Sequence, residues 1–237
     1  MLSSFFDAIY CINLIERKDR YELSKKVFKK FNIPVRYYQP NRHKNGDQGC
    51  FNSHVAICKE AMENKYNRII IFEDDIIETS SLNKESLKYV VSTLKKIKNW
   101  NIFYLGCFPD IRYRSFSTQY KNIYRMRAYG AHAYAINTNM IRVIAGLKWE
   151  GRSYDSYLMD SYHYAYMPRL FDQRAISSDI PRGINAINNF GSIKKLFLNL
   201  NDWYSVNVQY GVYEVLFWIL LFIGIFYSLK CAIKKEI

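Results

Sequence analysis

The sequence predicts an α/β fold with a mainly parallel sheet that is covered by helices on both faces. Short apolar runs of strand length alternate with segments of helical periodicity before the C-terminal region. One of these runs, Arg68–Phe72, is apolar from its second residue onward, which is typical of a buried parallel strand. A composition that is 49% hydrophobic and 17% aromatic excludes a disordered chain.

The first half of the chain contains three predicted strands and two predicted helices. In order they are a strand at Ala8–Leu14, a helix capped by Asp19 and ended by Asn32 and Pro34, a strand at Val35–Tyr38, a helix from Asn52 or Ser53 to about Lys65, and the strand Arg68–Phe72. The first helix is predicted because Leu23, Val27, Phe28 and Phe31 share one face. Proline then prevents the helix from continuing.

The second half repeats this alternation. The predicted elements are a helix from about Asn83 to Lys98, a strand at Asn101–Gly106, a loop rich in Tyr and Arg, a strand at Gly130–Asn137, and a helix from Thr138 to about Leu147. Ligands of such sheets bind beyond the carboxyl ends of the strands. Polar residues that follow a predicted strand are therefore the first candidates for a functional site.

An uncharged apolar segment follows the α/β region near the end of the chain. Val215–Leu229 carries no charge, and the wider range Val212–Ile233 is long enough to cross a bilayer as a helix. A buried C-terminal helix is the alternative, but the segment shows no apolar–polar periodicity. The predicted organisation is an α/β domain at 1–181, an extension or juxtamembrane linker at 182–211, a transmembrane anchor at 212–233 and a basic tail at 234–237.

The predicted anchor makes the protein membrane-associated, and the features around it disagree on topology. Met1–Ile15 lacks the features of a secretory signal, so the α/β domain would face the cytosol. The lysines after the span would instead keep that end in the cytosol. The terminal KKEI resembles a dilysine retrieval signal of endoplasmic-reticulum membrane proteins, and no Asn-x-Ser/Thr sequon occurs. The side of the membrane stays open, with the endoplasmic reticulum or another endomembrane as the expected location.

The net charge of +13 indicates an anionic partner: nucleic acid, an acidic membrane surface or a phosphorylated small molecule. The distribution of the charge along the chain helps to choose among them. Residues 17–44 contain ten basic and two acidic side chains. No zinc-finger spacing or helix-turn-helix pattern accompanies them, so nucleic acid is the partner that the sequence favours least. A solvated helix face is the alternative to an anion-binding surface.

Three consecutive acids, Glu73, Asp74 and Asp75, follow the buried strand directly. Adjacent carboxylates repel one another unless a cation compensates them, and Mg²⁺ or Mn²⁺ binds carboxylates while substrate phosphate fills its other positions. The alternative is a solvated acidic turn in which Asp75 caps the next segment. The five cysteines include no CxxC pair, which predicts neither a cysteine metal site nor a disulfide framework.

A second polar group, Asn13, Arg17 and Arg20, follows the first predicted strand. Arginine matches the geometry of phosphate, and an amide side chain can bind a base or a ribose. These residues and the three acids together suit an anionic diphosphate with a bound metal. Surface arginines at a helix start are the alternative.

Several segments resemble glycosyltransferase family 25, which includes lipopolysaccharide and procollagen galactosyltransferases. The resemblance lies first in IYCINLIERKDR (Ile9–Arg20), GCFNSHVAICKEAM (Gly49–Met62) and RIIIFEDDI (Arg68–Ile76). It is weaker in NIFYLGC, YGAHAYAIN, SYDSYLMD and PRLFDQRAISSDI, and it covers about residues 8–181. The chain is therefore identified as a member of this family, with a glycosyltransferase domain at 1–181.

The resemblance implies a GT-A type, Rossmann-like domain that binds a nucleotide sugar. It implies an inverting, metal-dependent transfer of a hexose, galactose or glucose, from a UDP-sugar to a hydroxyl on a glycan or protein, with Mn²⁺ as the expected ion. The implied residues are Glu73 and Asp75 for the metal, Asp74, Asn13, Arg17, Arg20, Ser53 and His54 for the nucleotide sugar, and Asp155 or Asp179 as the catalytic base. For Ser53 and His54, a helix cap and a packing residue are the alternative roles.

Two other functions remain open at this stage. A metal-dependent nucleotidyltransferase could use the same acids and arginines, although NLIERKDR lacks the glycine-rich phosphate loop that it would need. An inactive, membrane-tethered relative could act as a binding protein, although the acidic triplet is intact.

Overall fold

A mixed eight-stranded sheet with helices on both faces forms the centre of the protein in the computed structural model. The structure describes residues 2–110, 112–174, 200 and 220–221. The strands are β1 (Ala8–Ile12), β2 (Arg36–Tyr38), β3 (Arg68–Glu73), β4 (Ile76–Glu78), β5 (Ile102–Pro109), β6 (Phe116–Ser117), β7 (Ile123–Met126), β8 (Ala128–Asn137), β9 (His163–Tyr166) and β10 (Phe171–Gln173). The helices are α1 (Lys18–Phe31), α2 (Gly46–Glu63), α3 (Lys84–Leu94) and α4 (Thr138–Ala145).

The order of strands in the sheet is β2-β1-β3-β8-β5-β9-β7-β6, and β4 pairs with β10 in a separate two-stranded sheet. β1 is parallel to β2 and β3, and β5 is parallel to β9. β8 is antiparallel to both of its neighbours, as is β7. The prediction of a mainly parallel sheet is therefore wrong, because burial on both faces does not encode strand direction. The segment between β5 and β8 contains no described helix that could make a parallel crossover.

The prediction that helices cover both faces is confirmed. Alternate residues of β3 point to opposite sides: Ile70 and Phe72 join one core cluster, and Ile69 and Ile71 join the other. The first cluster includes apolar residues of α1 and α3, and the second includes those of α2 and α4. The acidic triplet therefore begins at the last residue of a strand that packs against helices on both faces.

The largest error in the predicted elements concerns the start of α2. The helix begins at Gly46, where the side chain of Asn45 accepts a hydrogen bond from the Gln48 amide at 3.1 Å, and not at Asn52 or Ser53. Gly46 and Gly49 are typical of a loop in a local sequence pattern, but glycine is tolerated in the first turns of a well-capped helix. A Cβ on Gly49 would lie 2.8 Å from the His43 Cβ, so glycine lets the preceding segment pack closely.

Other helix boundaries also differ from their prediction. Arg17, rather than Asp19, occupies the N-cap position of α1, and Asp19 lies in the first turn. The C-terminal end of α1 agrees with the sequence, because Asn32 adopts the left-handed conformation with φ of 54°. Asn83 caps α3 in a capping box with Ser86, but that helix ends at Leu94 rather than near Lys98.

Five short strands were not predicted from the sequence. They are β4, β6, β7, β9 and β10, and two of them lie in the segment that was predicted as a Tyr- and Arg-rich loop. Strands of two to four residues give too few positions for an alternating pattern to be recognised. One of them, β10, brings Gln173 to the site described below.

The predicted C-terminal segments lie outside the described residues, apart from residues 200, 220 and 221. Among the residues that are described, no helix has both the length and the apolar composition that crossing a membrane requires. The linker at 182–211, the anchor at 212–233 and the tail at 234–237 therefore stay predictions.

Candidate active site

A cavity of about 210 Å³ opens beyond the carboxyl ends of β1 and β3. These two strands are parallel, with Ile12 paired to Glu73, so the residues that follow each strand meet at one edge of the sheet. The first half of α2 forms part of the wall. The lining residues are Ile12, Leu14, Arg20, Arg42, His43, Gly46, Gly49, Cys50, Ser53, His54, Glu73, Asp74, Asp75 and Gln173.

Asp74 is buried and both of its carboxylate oxygens accept hydrogen bonds. Asn13 Nδ2 donates to Oδ2 at 2.7 Å, and Arg20 Nη1 donates to Oδ1 at 3.0 Å. Burial raises the pKa of Asp74, while the hydrogen bonds from Asn13 and Arg20 oppose that rise. Asp74 therefore ties the segment after β3 to the segment after β1 and to α1.

Asp75 is less well satisfied than its neighbour. Its Oδ2 lies 3.6 Å from Arg20 Nη1, and its buried Oδ1 has no hydrogen-bond partner in the described part of the chain. Burial and the charge of Glu73 raise the pKa of Asp75 to about 7, against the opposing effect of Arg20. A cation that accepts this oxygen as a ligand would relieve both effects.

Glu73 ends β3 and faces the same cavity. Its Oε2 accepts a hydrogen bond from Gln173 Nε2 at 3.1 Å. Burial, followed by the charges of Asp74 and Asp155, raises the pKa of Glu73 to about 7. Glu73 and Asp75 therefore share one environment in which negative charge is poorly compensated.

His54 projects from α2 toward this acidic edge and is fully buried. Its Nδ1 shares a 2.8 Å hydrogen bond with the hydroxyl of Tyr134, and its ring stacks on Tyr154 with 3.8 Å between centroids. Nε2 has no hydrogen-bond partner among the described residues and lies 3.9 Å from Glu73 Oε1. Burial lowers the pKa of His54 to about 3, so the imidazole is neutral at physiological pH.

Cys50 lies one helical turn before His54 and also lines the cavity. The Sγ of Cys50, a ring nitrogen of His54 and a carboxylate oxygen of Glu73 all lie within 4.8 Å of one another. Burial, with a smaller contribution from the charge of Glu73, raises the pKa of the Cys50 thiol well above its usual range.

The remaining residues of the predicted nucleotide site differ in whether they line the cavity. Asn13 is buried and, besides binding Asp74, accepts a hydrogen bond from Gln39 Nε2 at 3.2 Å. Arg17 does not line the cavity, and it pairs with Asp19 at 2.9 Å. Ser53 lines the cavity, but it lies in the interior of α2, where its hydroxyl donates to the Gly49 carbonyl at 2.8 Å. Ser53 is therefore not a helix cap.

The two predicted base candidates differ in what the structure describes. Asp155 lies in a short 3₁₀ helix at Tyr154–Tyr157, and its Oδ2 accepts a 3.4 Å hydrogen bond from the Gly130 amide. It does not line the cavity, but its charge contributes to the raised pKa of Glu73, so it is close to the acidic edge. Asp179 lies outside the described residues.

Seven of the ten basic residues of 17–44 form two groups. Arg20 and Arg42 line the cavity, where Arg42 also pairs with Glu16 at 2.7 Å. The lysines of α1 are exposed on the outer face of that helix (Lys18, Lys25, Lys26, Lys29 and Lys30). The alternative of a solvated helix face is therefore correct for these lysines, and the phosphate-binding expectation narrows to the two arginines.

The donor atoms at this edge fit a divalent cation. Two carboxylates with raised pKa values, a buried carboxylate oxygen without a hydrogen bond and an unpartnered imidazole nitrogen face one cavity. Oxygen ligands of this kind bind Mg²⁺ and Mn²⁺, and imidazole also binds transition metals. Arg20 and Arg42 provide positive charge for the anion that such a metal would bind.

The sequence interpretation missed several residues at this edge. Gln39, Gln173, Tyr134 and Tyr154 reach the site through hydrogen bonds that sequence distance hides, since Gln173 is a hundred residues from Glu73. Cys50 was treated as a cysteine without a metal role. Its spacing of four residues from His54 would place both on one face of a helix, which was the available signal. The predicted helix began after Cys50, so this shared face was not recognised.

Comparison with known proteins finds matches over most of the described part of the chain. A model of glycosyltransferase family 25 (LPS biosynthesis protein) matches residues 4–173. A probable inactive glycosyltransferase 25 family member 3 from Rattus norvegicus is 25% identical over 111 residues, which is 45% of this chain and 19% of that protein. Procollagen galactosyltransferase 2 from Mus musculus is 26% identical over 129 residues, 43% of this chain and 21% of that protein.

The matches span only about a fifth of the length of these curated relatives. Among solved structures, a glycosyltransferase involved in the glycosylation of the major capsid of PBCV-1 is similar with a TM-score of 0.47 and 8% identity, over 72% of this chain and 95% of that one. This structural likeness is distant.

Proposed function

Because the chain belongs to glycosyltransferase family 25, we propose that it transfers a hexose, galactose or glucose, from a UDP-sugar to a hydroxyl on a glycan or protein. The observation that supports this proposal is the acidic triplet at the end of β3, which lines one cavity together with Arg20 and Arg42. A nucleoside diphosphate has the charge and the oxygen ligands to complete such a site.

We assign the metal to Glu73 and Asp75 and not to Asp74. Both oxygens of Asp74 already accept short hydrogen bonds from Asn13 and Arg20, whereas Asp75 Oδ1 has no such partner in the described part of the chain. Mn²⁺ is the expected ion. When bound, it supplies positive charge that offsets the developing charge on the diphosphate.

The arginines act on the leaving group. Arg20 is held against Asp74, so its guanidinium is fixed before substrate binds and needs no reorganisation. Arg42 is half exposed and pairs with Glu16, and we propose that it exchanges this partner for a phosphate oxygen. Asn13 keeps Asp74, and through it Arg20, in position.

The base belongs on the acceptor side of the sugar. In an inverting reaction, a carboxylate removes the proton of the acceptor hydroxyl as its oxygen attacks the anomeric carbon. Asp155 is the first candidate because it is near Glu73 without lining the donor cavity. Asp179 remains the second candidate, either as base or as a further metal ligand.

A UDP-sugar screen with Mn²⁺ tests this proposal. We expect wild-type protein to release UDP from one hexose donor, and Asp75→Asn to lose this activity by about a hundredfold or more. Glu85→Gln, on the exposed outer end of α3, is the matched control and should leave activity unchanged. The proposal fails if no UDP-sugar binds to the wild-type protein.

A second candidate function is an inactive binding protein, since two of the matched relatives carry the word inactive in their names. The same screen separates the two functions. Binding of a UDP-sugar without turnover, in the presence of Mn²⁺ and acceptors, supports the binding protein and argues against the transferase.

We also retain membrane association through residues 212–233 as a proposal, supported by their apolar sequence. Protease protection of a tagged C-terminus in intact membranes tests the topology. A protected tail would contradict the interpretation of KKEI as a cytosolic retrieval signal.

A further inference from the structure

We propose that Cys50, His54 and Glu73 form a binding site for a thiophilic divalent cation, with Zn²⁺ as the best match. This site is chemically distinct from the oxygen-ligand site proposed above for Mn²⁺, although the two share Glu73. It was not expected from the sequence, where the cysteines show no metal-binding spacing.

The three donors converge because of helix and strand geometry. Cys50 and His54 are four residues apart on α2 and therefore lie on one face of that helix. Glu73 ends the neighbouring strand β3 and directs its carboxylate to the same point, and the three donor atoms lie within 4.8 Å of one another. Donor atoms on a tetrahedral zinc ion are roughly 3.3–3.8 Å apart, given bond lengths of about 2.0–2.3 Å. Side-chain rotations that shift these atoms by about 1 Å would complete the site.

An unpartnered nitrogen independently indicates a ligand. His54 is completely buried, yet its Nε2 makes no hydrogen bond to any described residue and stays 3.9 Å from Glu73 Oε1. A buried polar atom without a partner is costly, and a metal ion would satisfy it.

Neighbouring side chains fix the imidazole of His54 in the way that is typical of metal-binding histidines. When Nδ1 carries the proton and donates it to the Tyr134 oxygen, at 2.8 Å, the lone pair of Nε2 is left for a metal ion, and Nε2 lies 3.9 Å from Glu73 Oε1. The Tyr134 hydroxyl then donates to Tyr154, also at 2.8 Å, and the Tyr154 ring stacks on the imidazole at an interplanar angle of 2°. Outer hydrogen bonds of this kind fix the tautomer and orientation of metal-binding histidines.

The ligand set selects the ion. Thiolate and imidazole favour Zn²⁺ over Mg²⁺ and Mn²⁺, which prefer oxygen. Binding converts the Cys50 thiol to a thiolate and releases its proton to solvent, so one proton is released for each ion bound through sulfur. Water or a second carboxylate oxygen can take the fourth position.

A functional consequence follows, and this part rests on the proposed transferase activity. Zinc bound through Glu73 removes one ligand from the Mn²⁺ site, so zinc should inhibit transfer and excess Mn²⁺ should relieve the inhibition. Failure of zinc to inhibit would refute only this consequence, because metal binding is measured separately.

Cobalt spectroscopy tests the site directly, since Co²⁺ replaces Zn²⁺ and reports a sulfur ligand by a thiolate-to-metal charge-transfer band. We expect the full chain to show this band, Cys50→Ser to lose it, and Cys58→Ser to keep it. Cys58 is the matched control because it lies two turns farther along α2 and is buried in the apolar core. In a zinc titration, Cys50→Ser should bind at least about a hundredfold more weakly, and Tyr134→Phe about tenfold more weakly.

Circular dichroism of each variant shows whether the fold is retained. The proposal is overturned if wild-type protein shows no charge-transfer band, or if the band persists in folded Cys50→Ser. The proposal is supported if Cys50→Ser loses zinc affinity while Cys58→Ser keeps both the cobalt band and its zinc affinity.

Discussion

Replacing Arg20 with methionine removes the guanidinium that lies against the acidic triplet. Arg20 Nη1 is 3.0 Å from Asp74 Oδ1 and 3.6 Å from Asp75 Oδ2, and both the Arg20 and Asp74 side chains are more than nine-tenths buried. At an effective dielectric constant of about 20, each contact contributes about 5 kcal/mol of Coulomb energy before desolvation is subtracted. Breaking a buried pair on one side leaves its partner uncompensated, so we expect Arg20→Met to lower the free energy of unfolding by about 3 kcal/mol.

This loss should depend on pH in a defined direction. The folded-state pKa values of Glu73 and Asp75 are already raised to about 7, and removing Arg20 raises them further, because its charge lowers both. Carboxyl groups whose pKa is raised in the folded state destabilise the protein as the pH rises and they ionise, and this destabilisation disappears when they are protonated. The destabilisation caused by Arg20→Met should therefore be larger at about pH 8 than at about pH 5.

Urea denaturation in the presence of a chelator, followed by tryptophan fluorescence, measures this effect. Lys26→Met is the matched control, since Lys26 is exposed on the same helix and should change stability by less than about 0.5 kcal/mol. A loss below about 1 kcal/mol for Arg20→Met, or one that stays constant over this pH range, would refute the electrostatic argument.

Three further predictions concern other parts of the molecule. Gly106→Ala should lower the free energy of unfolding by about 2 kcal/mol in chemical denaturation, because a Cβ would lie 2.5 Å from the Phe171 carbonyl oxygen and from His132 Nε2. Gly146→Ala is the control, since its new Cβ makes ordinary contacts at 3.6 Å. Equal effects of the two substitutions would contradict the steric argument. Burial lowers the pKa of His132 to about 4, so the unfolded chain takes up its proton first and stability contributed by this group falls by about 2 kcal/mol from about pH 7.5 to about pH 5. His132→Leu should remove that part of the pH dependence, and an unchanged slope would argue against a buried neutral histidine. Asp155→Asn should reduce kcat about a hundredfold or more while the KM for the sugar donor is retained, as expected for a base; a change confined to KM would assign Asp155 to binding instead.

The elements that were predicted correctly have strong local signals. β3 was recognised from its apolar run, and α1 from the shared face of Val27 and Phe28. The start of α3 was predicted near Asn83, which the structure shows to be its cap. Local patterns determine such elements because burial and capping act within a few residues. The start of α2 was predicted wrongly for the same reason, since two glycines indicate a loop in a local pattern and Asn45 was not identified as a cap.

The acidic triplet shows where sequence information ends. Its position at the end of a buried strand was predicted from the residues. The assignment of Glu73 and Asp75 to the metal and of Asp74 to the nucleotide sugar came only from the family resemblance, because local patterns do not distinguish three adjacent carboxylates. The fold gives them different surroundings, because both oxygens of Asp74 accept hydrogen bonds from Asn13 and Arg20, whereas Asp75 Oδ1 has no hydrogen-bond partner among the described residues.

The sequence by itself determined the alternation of strands and helices in the first half of the chain, the family, and the location of the acids and of Asn13 at strand ends with Arg20 shortly after Asn13. Tertiary structure alone decided the antiparallel placement of β8, the hydrogen-bond partners of Asp74 and the convergence of Cys50, His54 and Glu73. The physical reason is that periodicity and capping record only which residues are buried and where an element begins. Strand direction and hydrogen-bond partners such as Gln173 and Tyr134 depend on segments that are distant in sequence and meet only when the sheet is assembled.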